Sequence, residues 1–226
     1  MTAAVLAVAV AVLAAHNLTV ERLAKWTYVP ACLATAASLT ALGTAAGISA
    51  AGMGLSARAA VDSAGIAVIW GLAATAAVVA LATAPTTRRL FADRRMDEVG
   101  LAGTAYRAGV RIPLGTAVVE EVAFRGVLLA LLAERMPTGW AVAASCLLFG
   151  LWHLVPTVGV LDVNRVAGRG RRVTVLAAAV VVMAGAGALL CQLRLATGSV
   201  LGPAFAHASL TATATVAAYV TGRARC

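Results

Sequence analysis

Apolar runs of roughly twenty residues recur along the whole chain, each long enough to cross a bilayer core of about 30 Å as a helix. That pattern constrains the fold more than any other feature. A backbone in lipid must satisfy its polar groups internally, so such runs become helices. Hydrophobic residues are 62% of the 226 and charged ones 12%, and mean hydropathy is +0.92, which excludes a soluble domain. The expected fold is all-α: one integral membrane domain over residues 1–226, a polytopic transmembrane helical bundle of about seven spans.

The spans read as roughly Thr2–Leu18, Tyr28–Met53, Ala64–Ala84, Ile112–Ala133, Gly139–Pro156, Val173–Leu193 and Val200–Val220. The first lacks a basic leader and another follows closely, so it reads as a retained helix rather than a signal peptide. Pro85 ends the third, and part of the polar stretch Thr86–Arg107 reads as an interfacial helix. The net charge of +9 is not a nucleic-acid patch, because the basic residues cluster in alternate loops. Of 18 Lys and Arg, only Arg58, Arg135 and Arg194 fall in the opposite loops and only Arg125 lies within a span. That bias puts the C-terminus in the cytoplasm, in what reads as a bacterial inner membrane.

Charge within the spans is the second constraint. An ionised side chain at mid-membrane costs at least about 2.5 kcal/mol, so it marks a pathway or a reaction centre. Of nine carboxylates only Glu120 and Glu121 lie deep in a span, and two of the three histidines, His153 and His207, lie in or near others. On a helix Glu121 and Arg125 are four apart and pair, while Glu120 points about 100° away. His153 shares a helix face with Phe149, and His207 with Thr211. A bundle can gather these groups in one cavity.

Such a set suits hydrolysis. A buried carboxylate can take a proton from water with an imidazole beside it, and a second imidazole with a hydroxyl neighbour can stabilise an oxyanion. The same Glu120, His153 and His207 can instead hold a catalytic zinc, although no His-Glu-x-x-His pair is present. The remaining polar and aromatic residues have plainer readings. His16 reads as interfacial, Arg194 as snorkelling, and Trp26, Trp70, Trp140 and Trp152 as anchors or packing residues. Cys32, Cys146 and Cys191 read as small packing residues. Cys226 reads as a free terminal thiol without the residues a prenylation signal needs.

Three motifs follow one another on separate spans: Glu120-Glu121-Val122-Ala123-Phe124-Arg125, then Phe149-Gly150-Leu151-Trp152-His153, then His207-Ala208-Ser209-Leu210-Thr211. Together they resemble the CPBP family of intramembrane proteases, which contains the type II CAAX prenyl endopeptidases and bacterial bacteriocin-immunity proteins. The family pattern is Glu-Glu-x-x-x-Arg, Phe-x-x-x-His and His-x-x-x-Asn or Asp, and the likeness covers roughly residues 112–211. It implies that Glu120 and His153 activate water and that His207 and the residue at Thr211 form the oxyanion site. Glu121, Arg125 and Phe149 are then supporting. Thr211 departs from the pattern, with Ser209 or a water as candidate compensators.

The resemblance implies an intramembrane endopeptidase working on a membrane protein or peptide among lipids, with prenylation of the substrate left open and no nucleic-acid partner. No cofactor is certain, and a divalent metal such as zinc remains open. The alternative is a non-catalytic binding or immunity protein on the same scaffold. An ion carrier using Glu120 is weaker, since the sequence has neither a repeated half nor paired broken helices.

Overall fold

The computed structural model describes residues 2–223, and Cys226 lies outside them. Among these residues the chain is helical, with no strand. The helices are α1 (Thr2–Thr19), α2 (Lys25–Ala45), α3 (Ala57–Asp62), α4 (Ala64–Thr83), α5 (101–133), α6 (Thr138–Trp152), α7 (Leu154–Val163), α8 (Arg169–Thr197) and α9 (Leu201–Arg223). Among the described residues five stretches are long and apolar enough to cross a membrane: Ala3–Arg22, Lys25–Ala45, Ala64–Thr83, Thr138–Val163 and Arg169–Thr197. The other two long helices, α5 and α9, carry the glutamates, Arg125 and His207, which lower their apolar character. The site thus masks two of the three helices that hold it.

Several expected boundaries move. The second span stops at Ala45 instead of Met53, because residues 46–56 form a turn-rich segment with positive φ at Gly47 and Gly54. Helix α5 starts at Leu101, well before Ile112, so the polar stretch gives only short 3-10 turns at Arg88–Phe91 and Arg94–Met96. Asp93 ties that stretch to α7: its carboxylate accepts from Arg95 and, at 3.2 Å, from Asn164. Burial works against the ionised Asp93, yet these donors hold its carboxyl below the usual range.

Helix α5 is the axis. Every residue from Val119 to Leu129 is buried, and Glu121 and Arg125 rank with Phe124, Leu39 and Met53 among the largest fully buried side chains. Its α-helical turns alternate with π-helical turns at Arg107–Ala117 and Val122–Leu128, on either side of the glutamates. Widened turns of this kind occur chiefly where side chains are aimed for function. Helices α2, α6 and α9 pack against α5, while α4 pairs with α9 and α8 with α6. The outer helices α4 and α8 leave Ile69, Leu72, Val181 and Leu189 exposed, as helices facing lipid do.

Close helix approach depends on small residues. A Cβ at Gly150 would sit 2.6 Å from the Val180 carbonyl oxygen of α8. Gly150→Ala must therefore push α6 and α8 apart, with an expected loss of about 1–3 kcal/mol as for other overpacked cores. A lowered unfolding midpoint in detergent checks this; an unchanged midpoint rejects the contact as drawn.

Candidate active site

Glu121 and Arg125 are one helical turn apart on α5, and burial leaves them no partner in water. Arg125 Nη1 donates to Glu121 Oε1 at 3.0 Å. The guanidinium also lies over the Phe149 ring, 4.0 Å from its centroid. Gly187 of α8 leaves room for it: a Cβ there would lie 3.3 Å from Nη2. Phe149 in turn meets His153 and His207 edge-on, with centroids 4.6 and 6.2 Å away.

His207 comes in from α9 and places Nδ1 2.7 Å from the same Glu121 Oε1. A carboxylate only accepts, so Nδ1 carries the proton and Nε2 turns to the other side. Glu121 therefore holds two cationic or polar groups at once. The sequence alone pairs it with Arg125 only.

His153 sits where α6 gives way to α7, with φ −78° and ψ −3°. Its Nδ1 lies 2.8 Å from the Phe149 carbonyl oxygen. Since a carbonyl only accepts, Nδ1–H donates and Nε2 is left facing outward from that bond. Both Nε2 atoms, of His153 and His207, lie 3.9 Å from Glu120 Oε2. That oxygen has no protein partner although it is fully enclosed. The three atoms are too far apart for direct hydrogen bonds and suitably spaced to share a water or a polarised carbonyl. Glu120 Oε1 is already engaged, accepting from Trp152 Nε1 at 3.1 Å.

The structure thus brings Glu120, His153 and His207 together, with Glu121, Arg125 and Phe149 around them. Thr211 lies one turn beyond His207, and among the described residues no hydrogen bond joins its hydroxyl to the cluster; its carbonyl accepts from Thr215. Ser209 does not compensate, because its hydroxyl faces Gly71 of α4. Zinc with bonds of about 2.0–2.2 Å needs its tetrahedral donors roughly 3.3–3.6 Å apart. The 3.9 Å separations are wider than that. Among the described residues no group of three His, Cys, Asp or Glu side chains fits a metal ion. A cavity of about 260 Å³ lies beside the cluster, lined by Leu55, Val118, Val122, Val200, Ala204 and Glu121.

Two expectations are corrected and a third is resolved. His16 is not interfacial: it is buried, bonded to Thr35 Oγ1 at 2.9 Å and stacked on Trp152. Arg194 does not snorkel, since it turns inward and donates to the Gly52 carbonyl at 2.9 Å. At a helix end a nearby loop carbonyl is a closer partner than water. Of the two readings of Trp152, anchor or packing residue, the second holds: it packs against His16 and Phe124, and its indole N–H also serves Glu120. Its signal in the sequence is its place beside His153, four residues before Pro156.

Compared with known proteins, residues 103–213 match the model of the type II CAAX prenyl endopeptidase Rce1-like family. No curated protein and no solved structure matches the chain.

Proposed function

Residues 103–213 belong to the Rce1-like family of type II CAAX prenyl endopeptidases, and on that premise we propose that the protein is a membrane-embedded endopeptidase that hydrolyses a peptide bond with a water activated by Glu120 and His153. One observation carries this reading: the unpartnered Glu120 Oε2 lies at equal distances from two imidazole nitrogens, 3.9 Å each.

Water held there donates one hydrogen to Glu120 Oε2 and the other to His153 Nε2. As its oxygen adds to the scissile carbonyl carbon, Glu120 takes the proton and the carbonyl oxygen becomes an oxyanion. The C–N bond then breaks, and Glu120 passes that proton to the departing amine. His207 serves the oxyanion from Nε2–H. Because its Nδ1–H is bound to Glu121, this requires both ring protons, hence an imidazolium. Charge balance favours that form: Glu120 and Glu121 then offset Arg125 and His207, leaving the buried cluster neutral. No step is routed through a metal, for want of a fitting donor set.

Lipid surrounds the protein, and its substrate is a membrane protein or peptide. The cytoplasmic C-terminus and the bacterial inner membrane remain parts of this proposal, carried by the loop charges. The experiment compares membrane-protein termini in cells carrying the parent chain or Glu120→Gln. It is paired with cleavage of a prenylated CAAX peptide and its unprenylated twin by the purified protein, with and without a chelator. New termini only with the parent support the reading, and their absence together with two intact peptides rejects it.

The unattached Thr211 hydroxyl favours a second reading, a non-catalytic binding or immunity scaffold. An amide reaches farther than a hydroxyl. Thr211→Asn is therefore expected to raise turnover, by up to about 10²-fold if the site behaves as other oxyanion holes do. A rate unchanged by Thr211→Asn in steady-state kinetics removes position 211 from the oxyanion site.

A further inference from the structure

Helix α1 lies outside the family-matched segment, yet its C-terminal turn meets Trp152, the hydrogen-bond partner of Glu120. The contact begins with a backbone defect. In a continuous helix the Trp152 carbonyl would accept from the N–H four residues on, but that residue is Pro156, which has none. The chain breaks into α6 and α7 at this point, and the orphaned carbonyl is capped by Asn17 Nδ2 of α1 at 2.9 Å, across 135 residues of sequence. The next residue, His153, is one of the two histidines that face Glu120.

The Trp152 side chain is held from two more directions. His16 stacks on it, with centroids 6.1 Å apart and planes 12° from parallel. His16 is itself fixed to α2 through Thr35 Oγ1 at 2.9 Å and Cys32 Sγ at 3.8 Å. Phe124 meets the indole edge-on at 5.5 Å. The indole N–H then has one direction left, toward Glu120 Oε1, and that bond decides which carboxylate oxygen stays free.

We infer that Asn17 and His16 are positioning residues for hydrolysis: through Trp152 they fix the rotation of the Glu120 carboxylate and the exit of His153 from the helix break. The first helix is thereby part of the catalytic unit. This inference rests on the general-base reading of Glu120.

The test uses the purified full chain and a quenched fluorescent peptide ending in a prenylated CAAX box. Asn17→Leu keeps the bulk and removes the donor, whereas Asn17→Gln keeps a donor. Misplacing a reacting group by about 1 Å can cost up to 10²-fold. Asn17→Leu is accordingly expected to lower kcat about 10-fold with KM unchanged, and Asn17→Gln to recover most of the rate. Trp152→Phe, which keeps an aromatic face without the N–H, should lower kcat similarly. If Asn17 acts through Trp152, Asn17→Leu added to Trp152→Phe causes little further loss. Parental kcat in Asn17→Leu, or losses that multiply in the double variant, overturn the inference. Hydrogen exchange gives a second readout that needs no substrate: the amides of residues 153–155 and 157 exchange faster in Asn17→Leu, and an unchanged rate there also overturns it. Glu120→Gln separates the two claims. If it cleaves at the parental rate, the base assignment fails. If it is inactive while Asn17→Leu is normal, only the positioning role fails.

Discussion

Glu120→Gln is expected to lower kcat by about 10²–10⁴-fold, the range a positioned general base supplies, while leaving the unfolding midpoint within a few degrees of the parent. The amide keeps the shape of the carboxylate, and its oxygen can still accept from Trp152 Nε1, now at 3.1 Å. What it lacks is a basic second atom. Its NH2 would point toward His153 Nε2, to which it can donate, and toward His207 Nε2–H, which cannot accept, both 3.9 Å from the present Oε2, and it could not take a proton from water. A lowered rate with retained fold isolates the proton transfer. Parental turnover would move the chemistry elsewhere and favour the non-catalytic scaffold.

Glu121→Gln should do the opposite kind of damage, to stability first. Its Oε1 serves Arg125 at 3.0 Å and His207 at 2.7 Å; Arg125 is buried with it and the His207 side chain is only 10% exposed. Removing one member of a buried ion pair costs about 3–5 kcal/mol, because the surviving charge has no water to return to. Chemical unfolding in bicelles is the measurement, and a loss below about 1 kcal/mol, the level of an exposed pair, would rule out the buried network. A second variant separates stability from function. Glu121→Leu combined with Arg125→Leu removes both charges and is expected to recover much of the stability, as apolar replacements of buried pairs commonly do. It should not recover turnover, since His207 still lacks the acceptor that orients its ring. Restored activity in the double variant would show that Glu121 is needed only for folding.

Much of the fold was legible in the residues because lipid imposes simple rules. Twenty apolar residues must become a helix, and a charge inside such a run must have a reason to be there. Glu120, Glu121, Arg125, His153 and His207 stand out for that reason alone, and the four-residue offset suffices to pair Glu121 with Arg125. Where the spans begin and end was harder to read. Helix α5 starts at Leu101 because Tyr106 and Arg107 tolerate a helix as well as a loop, and the second helix stops at Ala45 through turns that hydropathy does not register.

Tertiary structure alone decided what the charged groups do to one another. Helical periodicity fixes a side chain's direction around its own axis and says nothing about which neighbouring helix fills that direction. That Glu121 also binds His207, that Trp152 takes one oxygen of Glu120, and that Arg194 turns inward to Gly52 follow from how separate helices dock. The same holds for α1. Pro156 announces an orphaned carbonyl four residues earlier, but the amide that caps it comes from Asn17, and only packing α1 against the break could bring that amide within 2.9 Å. The sequence determined which groups are too costly to leave unpartnered in a membrane; the docking of the helices determined their partners, because distances between segments far apart in the chain are set by packing and not by local pattern.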